Sequence, residues 1–297
     1  LPARSILCVL PALALASCAA ANSAPAMQAP PPSEWVAACE DWDEWDKPGP
    51  PFRIHGDTWY VGTCGIAAIL ITGDEGHTLI DTGTVGGTAH VLDNIRRLGF
   101  DPADIALLLV SHEHFDHVAG TAMVQELSGA RLVATGPAAA VLSTGAQGQD
   151  DPQFGILNGF PPARVDQTIE TGEIVTQGQL SFRHLPTPGH TPGASSWQWT
   201  SCGDGECLTI VYADSMSPIS ADGYRFSEHR QLLDDFRRGI AYLSQSQCDL
   251  LLTPHPSASW MRKRLEAGEL VDDNACRTYA QQIEKRLDAR LNKESAQ

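Results

Sequence analysis

Apolar residues along this chain fall into two patterns, unbroken short runs and helix-spaced stretches. Ile105 to Val110 and Leu250 to Thr253 are continuous runs of strand length, which predicts strands covered on both faces. Trp59 to Gly62, Gly65 to Thr72 and Thr78 to Asp81 are β-rich, and Gly73-Asp74-Glu75-Gly76 is a turn, so an antiparallel meander is expected there. Further strands are expected over Arg131 to Ala134, near Glu173, and over Leu180 to Leu185, Ala194 to Thr200 and Cys207 to Ala213. Gly87 to Leu98 has Ala89, Val91, Leu92, Ile95 and Leu98 at helical spacing, and Gly99 stops it. Val118 to Leu127, Pro137 to Leu142, Arg230 to Leu243 and Asp272 to Leu291 also read as helices. Glu34 to Pro51 reads as an irregular lead-in with Trp35, Trp42 and Trp45 as packing anchors. Ser143 to Ala163 reads as a long loop, of a length that is usually functional. Strands then helices, twice over, predict an α/β protein of two halves whose sheets stack with the helices outside.

The 297 residues suffice for one large domain or two small ones. With 36 acidic and 20 basic side chains the formal charge is -16. No Lys/Arg cluster supplies a face for a phosphate backbone, so a nucleic-acid partner is not expected. Arg4 followed by the apolar run Ile6 to Ala16 has signal-peptide dimensions. Leu15-Ala16-Ser17-Cys18 looks like a lipobox, so the exported protein is expected in the periplasm, either soluble or anchored to a membrane through a lipidated Cys18. Residues 1–17 are thus read as signal peptide, 18–33 as an Ala/Pro-rich tether and 34–297 as the functional domain. Cys39, Cys64, Cys202, Cys207, Cys248 and Cys276 remain, and an even number in an oxidising compartment suggests disulfides, with 15 pairings open.

Ser111-His112-Glu113-His114-Phe115-Asp116-His117 directly follows the buried run Ile105 to Val110. Three imidazoles and a carboxylate at this density are the donors a borderline cation such as zinc prefers. His190, in Pro188-Gly189-His190-Thr191-Pro192-Gly193, and His255, in Thr253-Pro254-His255-Pro256, each follow a predicted strand, with Pro and Gly fixing the backbone on both sides. His55, His77, His90, His184 and His229 lack such a setting and read as structural or surface residues. Ser-x-x-Lys and Gly-x-Ser-x-Gly are absent, which leaves no serine-nucleophile reading.

The pattern His112-x-His114-x-Asp116-His117 with His190 and His255 resembles the metallo-β-lactamase superfamily, over roughly Cys39 to the terminal helix. Trp59-Tyr60-Val61-Gly62-Thr63, Tyr212-Ala213-Asp214-Ser215 and Cys248 to Pro256 resemble subclass B3 within it. The six cysteines and Asp151-Pro152-Gln153-Phe154 look most like the Adelaide imipenemase type of that subclass. The resemblance implies a four-layer αβ/βα sandwich with the site in a groove at the shared sheet edge. It implies two zinc ions, one on His112, His114 and His190 and a second on Asp116, His117 and His255. It implies disulfides Cys39–Cys64, Cys202–Cys207 and Cys248–Cys276.

The activity implied is hydrolysis of the β-lactam amide of penicillins, cephalosporins and carbapenems by a zinc-bound hydroxide, conferring antibiotic resistance, by a protein expected to be a monomer. Asp116 is the expected catalytic residue, as a zinc ligand that also accepts a hydrogen bond from the attacking water. Ser215 and Ser217 are expected to hydrogen-bond the drug carboxylate, and Gln153 to line the groove. Asp81 is expected to orient the histidine cluster. Asp214 decides between this and another exported dinuclear hydrolase such as a lactonase: as a metal bridge it implies the latter, as a support for the cluster the former.

Overall fold

The computed structural model describes residues 29–296. The signal-peptide reading and Cys18 lie outside the described residues. The chain runs α1 (Pro32–Ala38), β1 (Phe52–His55), β2 (Thr58–Tyr60), β3 (Ile69–Ile71), β4 (His77–Ile80), α2 (Val85–Arg97), β5 (Ile105–Leu109), α3 (Phe115–Val118), α4 (Thr121–Ser128), β6 (Arg131–Thr135) and α5 (Gly136–Thr144). It continues through β7 (Gln167–Ile169), β8 (Ile174–Gln177), β9 (Leu180–Pro186), β10 (Ser195–Gly203), β11 (Glu206–Tyr212), α6 (Arg230–Gln245), β12 (Leu250–Leu252), α7 (Met261–Ala267) and α8 (Ala275–Ser295). α1 opens inside the stretch read as tether and lead-in. Proline in its first turn suits the entry, and Trp35 is its buried anchor.

Two sheets result. One has seven strands in the order β1 to β7, antiparallel up to β4 and parallel from β4 onward. The other has five, in the order β12-β11-β10-β9-β8, with only the β11–β12 pair parallel. The period of two along each buried run divides its side chains between layers. Leu107 and Leu109 of β5 join Ile210 and Tyr212 of β11 and Leu250 and Leu252 of β12 in the core between the sheets. The alternate residues Leu108 and Val110 pack with Val91, Leu92 and Ile95 of α2 and Val124 of α4. On the other side Val211 and Leu251 meet Phe236 and Ile240 of α6 and Tyr279 and Ile283 of α8. The layers are therefore helices, sheet, sheet, helices, the αβ/βα sandwich expected. At about 25 cal/mol per Å² of apolar surface, these three clusters are the dominant favourable term in its folding.

The expected helix Val118 to Leu127 is two helices, α3 and α4. Gly120 separates them, and a Cβ there would run into the Thr88 side chain of α2. Asp116 and His117 therefore stand in the first turn of a short helix rather than on a loop. Three disulfides, Cys39–Cys64, Cys202–Cys207 and Cys248–Cys276, pair as the resemblance implied.

Candidate metal centre

The parallel strands of the first sheet end at one edge, the place where such sheets put their sites. Beyond β5 the chain turns through Ser111 to His114 into α3. The root of this turn is Asp81, just past β4, buried and in the left-handed region with φ 62°. Its Oδ1 accepts the Ser111 amide at 2.7 Å, and its Oδ2 accepts the Ser111 hydroxyl at 2.6 Å and the Tyr212 hydroxyl at 2.8 Å. Burial raises the Asp81 pKa, with the neighbouring His117 ring and these donors acting against it. Asp81 thus fixes the backbone from which the cluster springs.

Each of three histidines has one ring nitrogen held from behind. His112 Nδ1 donates to Asp214 Oδ1 at 2.8 Å. His114 Nε2 donates to Asp151 Oδ2 at 2.9 Å. His190 Nδ1 donates to the Ser217 carbonyl at 3.0 Å, with the Ser217 hydroxyl 3.1 Å away. A hydrogen on one nitrogen leaves a lone pair on the other. One donor atom from each of His112, His114 and His190 lies within 4.8 Å of the others. Burial, reinforced by the neighbouring rings, pushes His112 and His190 well below the ordinary imidazole range, so both are neutral at pH 7. Neutral rings of fixed tautomer, facing one point, are what a cation requires. Gly189 lets this loop in close: its φ is +152°, and a Cβ there would strike the Phe236 ring.

His112, Asp116 and His117 form a second convergent set within the same 4.8 Å limit. His255 stands just beside it, with Nε2 3.5 Å from Asp116 Oδ2 and its ring 5.0 Å from that of His117. The expected trio Asp116, His117 and His255 is thus gathered in one place, with His112 nearer to it than the pattern suggested. Burial alone would raise the Asp116 carboxyl, but the His117 and His255 rings hold it well below the usual range. Among the described residues, His112 Nε2 and both nitrogens of His117 are buried without a well-directed hydrogen bond, His117 Nε2 lying 3.0 Å from Asp116 Oδ2 and Nδ1 3.7 Å from Asp81 Oδ2. Orphaned buried ring nitrogens are costly unless something absent from the chain satisfies them.

Asp214 lies behind His112, where its Oδ2 also accepts the Met216 amide at 3.0 Å. It belongs to neither convergent set. Ser215 follows it, and its Oγ is buried with no partner among the described residues. Gln153 is buried in the long loop, two residues beyond Asp151, whose Oδ1 accepts the Gln153 amide at 2.7 Å. Trp45 packs on Phe115 at 5.6 Å and faces His255 at 6.1 Å, so the lead-in segment walls one side of the site.

Two carboxylates here have roles that sequence reasoning missed. Asp151 holds His114 from 37 residues away. Glu113, between His112 and His114, is buried and grips the His190 loop. For Glu113 the signal available was its type, an acidic residue between two metal-ligand candidates; Asp151 carried none, since only the fold brings it to His114.

Residues 61–203 match the model of the metallo-β-lactamase superfamily. The chain is 56% identical to MIM-2 metallo-β-lactamase, covering 88% of this chain and 97% of that one with a TM-score of 0.85. It is 37% identical to MEM-A1, a subclass B3 metallo-β-lactamase from a soil metagenome library, covering 85% of this chain and 99% of that one at a TM-score of 0.80. A hydroxyacylglutathione hydrolase of Pseudomonas paraeruginosa is 40% identical over 86 residues, which is 29% of this chain and 25% of that protein. The chain spans less than two thirds of the length of the curated relatives it matches. Near-complete coverage at this identity, over the same fold, has one reading: the chain belongs to the metallo-β-lactamase family, in its B3 subclass.

Proposed function

We propose that this protein opens the β-lactam amide of penicillins, cephalosporins and carbapenems with the help of two zinc ions, and so confers resistance to those antibiotics. The observation that carries the proposal is the convergence of His112, His114 and His190, each held from behind, beside orphaned nitrogens on His112 and His117. His112, His114 and His190 would hold one ion, and Asp116, His117 and His255 the other. Zinc with three protein ligands and open positions supplies an acidified water and polarises a carbonyl.

The chain's own groups do the rest. The Asp116 carboxylate stays ionised and accepts a hydrogen bond from the attacking water. Ser215 offers a hydroxyl without a partner to the drug carboxylate, with Ser217 beside it. Gln153 and Trp45 flank the groove and orient the bicyclic substrate. Asp214 and Asp81 keep the ligands aimed, at no reorganisation cost during the reaction.

A lactonase-like hydrolase would need Asp214 as a bridging ligand. Its occupation by His112 Nδ1 and the Met216 amide favours the lactamase reading. Export to the periplasm, with or without lipid on Cys18, action as a monomer and the domain start near residue 34 complete the proposal. The test is turnover of a carbapenem by the purified protein with zinc, with EDTA, and after zinc is restored. Loss with EDTA and recovery with zinc are expected; no turnover with zinc present refutes the proposal.

A further inference from the structure

The three converging histidines differ in what stands behind them. His112 leans on Asp214 at the end of β11, and His190 on a carbonyl of the segment that follows it. His114 leans on Asp151, which lies in the long connection between α5 and β7. Both side chains are buried, His114 at 4% exposure and Asp151 at 5%. The other Asp151 oxygen accepts the Gln153 amide, and the Asp151 carbonyl accepts the Phe154 amide at 2.9 Å. Its neighbour Pro152 accepts the Ala221 amide at 2.8 Å, tying the loop to the segment after Ser217. Gln147 braces the same turn independently: its Nε2 donates to the Gln153 carbonyl at 3.2 Å and its Oε1 accepts the Gly155 amide at 2.9 Å. Gln147 makes no contact with His114 among the hydrogen bonds of the described residues.

We infer that Asp151 is a positioning residue that couples metal retention at His114 to the order of the loop carrying Gln153 and Phe154. One carboxylate does two things. It fixes the His114 tautomer with hydrogen on Nε2, leaving the Nδ1 lone pair for a cation. It also nucleates the loop turn through the Gln153 amide. A cation at His114 polarises the ring, strengthens its N–H donation to Asp151, and so tightens the turn. By linkage, a loop held in this conformation must tighten cation binding by the same factor. The substrate-facing wall is thereby ordered when the metal is in place. Phe154 and Ile156, exposed at 49% and 58%, are the apolar groups this turn presents.

The inference rests on the metal site proposed above, and the experiment separates the two. Zinc affinity is measured by chelator competition for the wild-type protein, Asp151→Asn and Gln147→Ala. Hydrogen exchange of residues 145–160 is measured for the wild type with and without zinc, and visible spectra are recorded on the cobalt-loaded proteins. We expect Asp151→Asn to bind zinc about 10-fold more weakly and to shift the cobalt spectrum. Gln147→Ala should loosen the loop and, by the same linkage, weaken zinc by less than Asp151→Asn does, with the cobalt spectrum unchanged. In the wild type, zinc should slow exchange across 145–160.

If the wild type binds no zinc, the site reading falls. If it binds zinc and Asp151→Asn keeps wild-type affinity, the coupling falls alone. Wild-type affinity in Gln147→Ala overturns it too, since linkage requires a loosened loop to weaken the cation, and so does weakening equal to that of Asp151→Asn, since loop integrity rather than the carboxylate would then set affinity. Unchanged exchange in the zinc-loaded wild type does the same without any variant having to fold.

Discussion

Glu113 Oε2 accepts the Thr191 hydroxyl at 2.8 Å, while Oε1 accepts the Gly193 amide at 2.9 Å. The two elements joined in this way lie 78 residues apart and belong to opposite halves of the sandwich. Thr191 is the immediate neighbour of His190, so Glu113 sets where that ring sits. Burial raises the Glu113 pKa, and the Thr191 and Gly193 donors offset part of this.

Glu113→Gln should therefore misplace His190. An amide has one acceptor where two donors wait, and its own N–H₂ group would face a donor. We expect a loss of about 2 kcal/mol in stability. Zinc bound by His112, His114 and His190 should weaken about 10-fold, as for other supports of metal ligands. Urea unfolding with metal titration checks both; a variant with wild-type values in each would mean that the clamp is idle.

His190→Ala and Asp116→Asn should separate the two proposed ion sites. The first removes a donor from the His112 set and is expected to abolish most activity, with one zinc weakened or lost. The second keeps the fold and loosens only the other zinc, because the neutral amide is a poorer ligand and hydrogen-bond acceptor. Elemental analysis after dialysis, beside turnover rates, reads the difference. Full zinc content at full rate in either variant refutes the corresponding assignment.

Glu294 predicts an acid-sensitive seam. Burial acts to raise its pKa, but the Ser227 and Phe226 amides and the Arg290 guanidinium outweigh this and hold it at about 2, against an ordinary 4.5. A depressed folded value stabilises above the unfolded pKa and is lost as pH falls through the folded one. The contribution is thus complete above about pH 5 and fades towards pH 2, about 3 kcal/mol in all. The stability gap between wild type and Glu294→Gln should be largest at pH 7 and shrink steadily below pH 4.5; a gap of constant size would show that the carboxylate charge is not its source.

Replacing Cys248 and Cys276 together by Ala should cost about 3.5 kcal/mol by loop-closure entropy, against about 2 kcal/mol for the Cys202–Cys207 pair. The sequence separations are 28 and 5 residues. Melting of each double variant in oxidising buffer measures the order. Equal losses would point to native-state contacts rather than chain entropy.

What could be read along the chain is what one segment decides by itself. Ile105 to Val110 announced β5, because a strand covered on both faces must be apolar at every position. Leu250 to Thr253 announced β12 in the same way. The ligand candidates were legible because four of them share one short segment, His190 follows Pro188-Gly189 and His255 sits between two prolines. β1 and β7 went unread, since edge strands of a few residues have little alternation to show. α1 and α7 span only two turns each, too short for a periodic signal. Gly65 to Thr72 shrank to Ile69–Ile71, because the residues before it turn back on themselves: the Val61 amide donates to the Ala68 carbonyl and the Thr63 amide to that of Ile66. Glu113 and Asp151 were opaque for the opposite reason. Their partners are brought near only by the finished fold, and no local pattern encodes a contact made across it.

The three covalent cross-links share a property with consequences for handling the protein. Each closes a ring inside one half of the sandwich, Cys39–Cys64 in the first and the other two in the second. None ties the halves together. The donors converging at the sheet edge do span them, with His112, His114, Asp116 and His117 on one side and His190 and His255 on the other. A bound cation would therefore act as the rivet that the sulfur bridges are not. At a free concentration 1,000 times its dissociation constant it would add about 4 kcal/mol to the hold between the halves. Chelation, on this account, unfastens the groove before it unfolds either half, and a fully oxidised protein stripped of metal is the form most exposed to proteolysis along that seam.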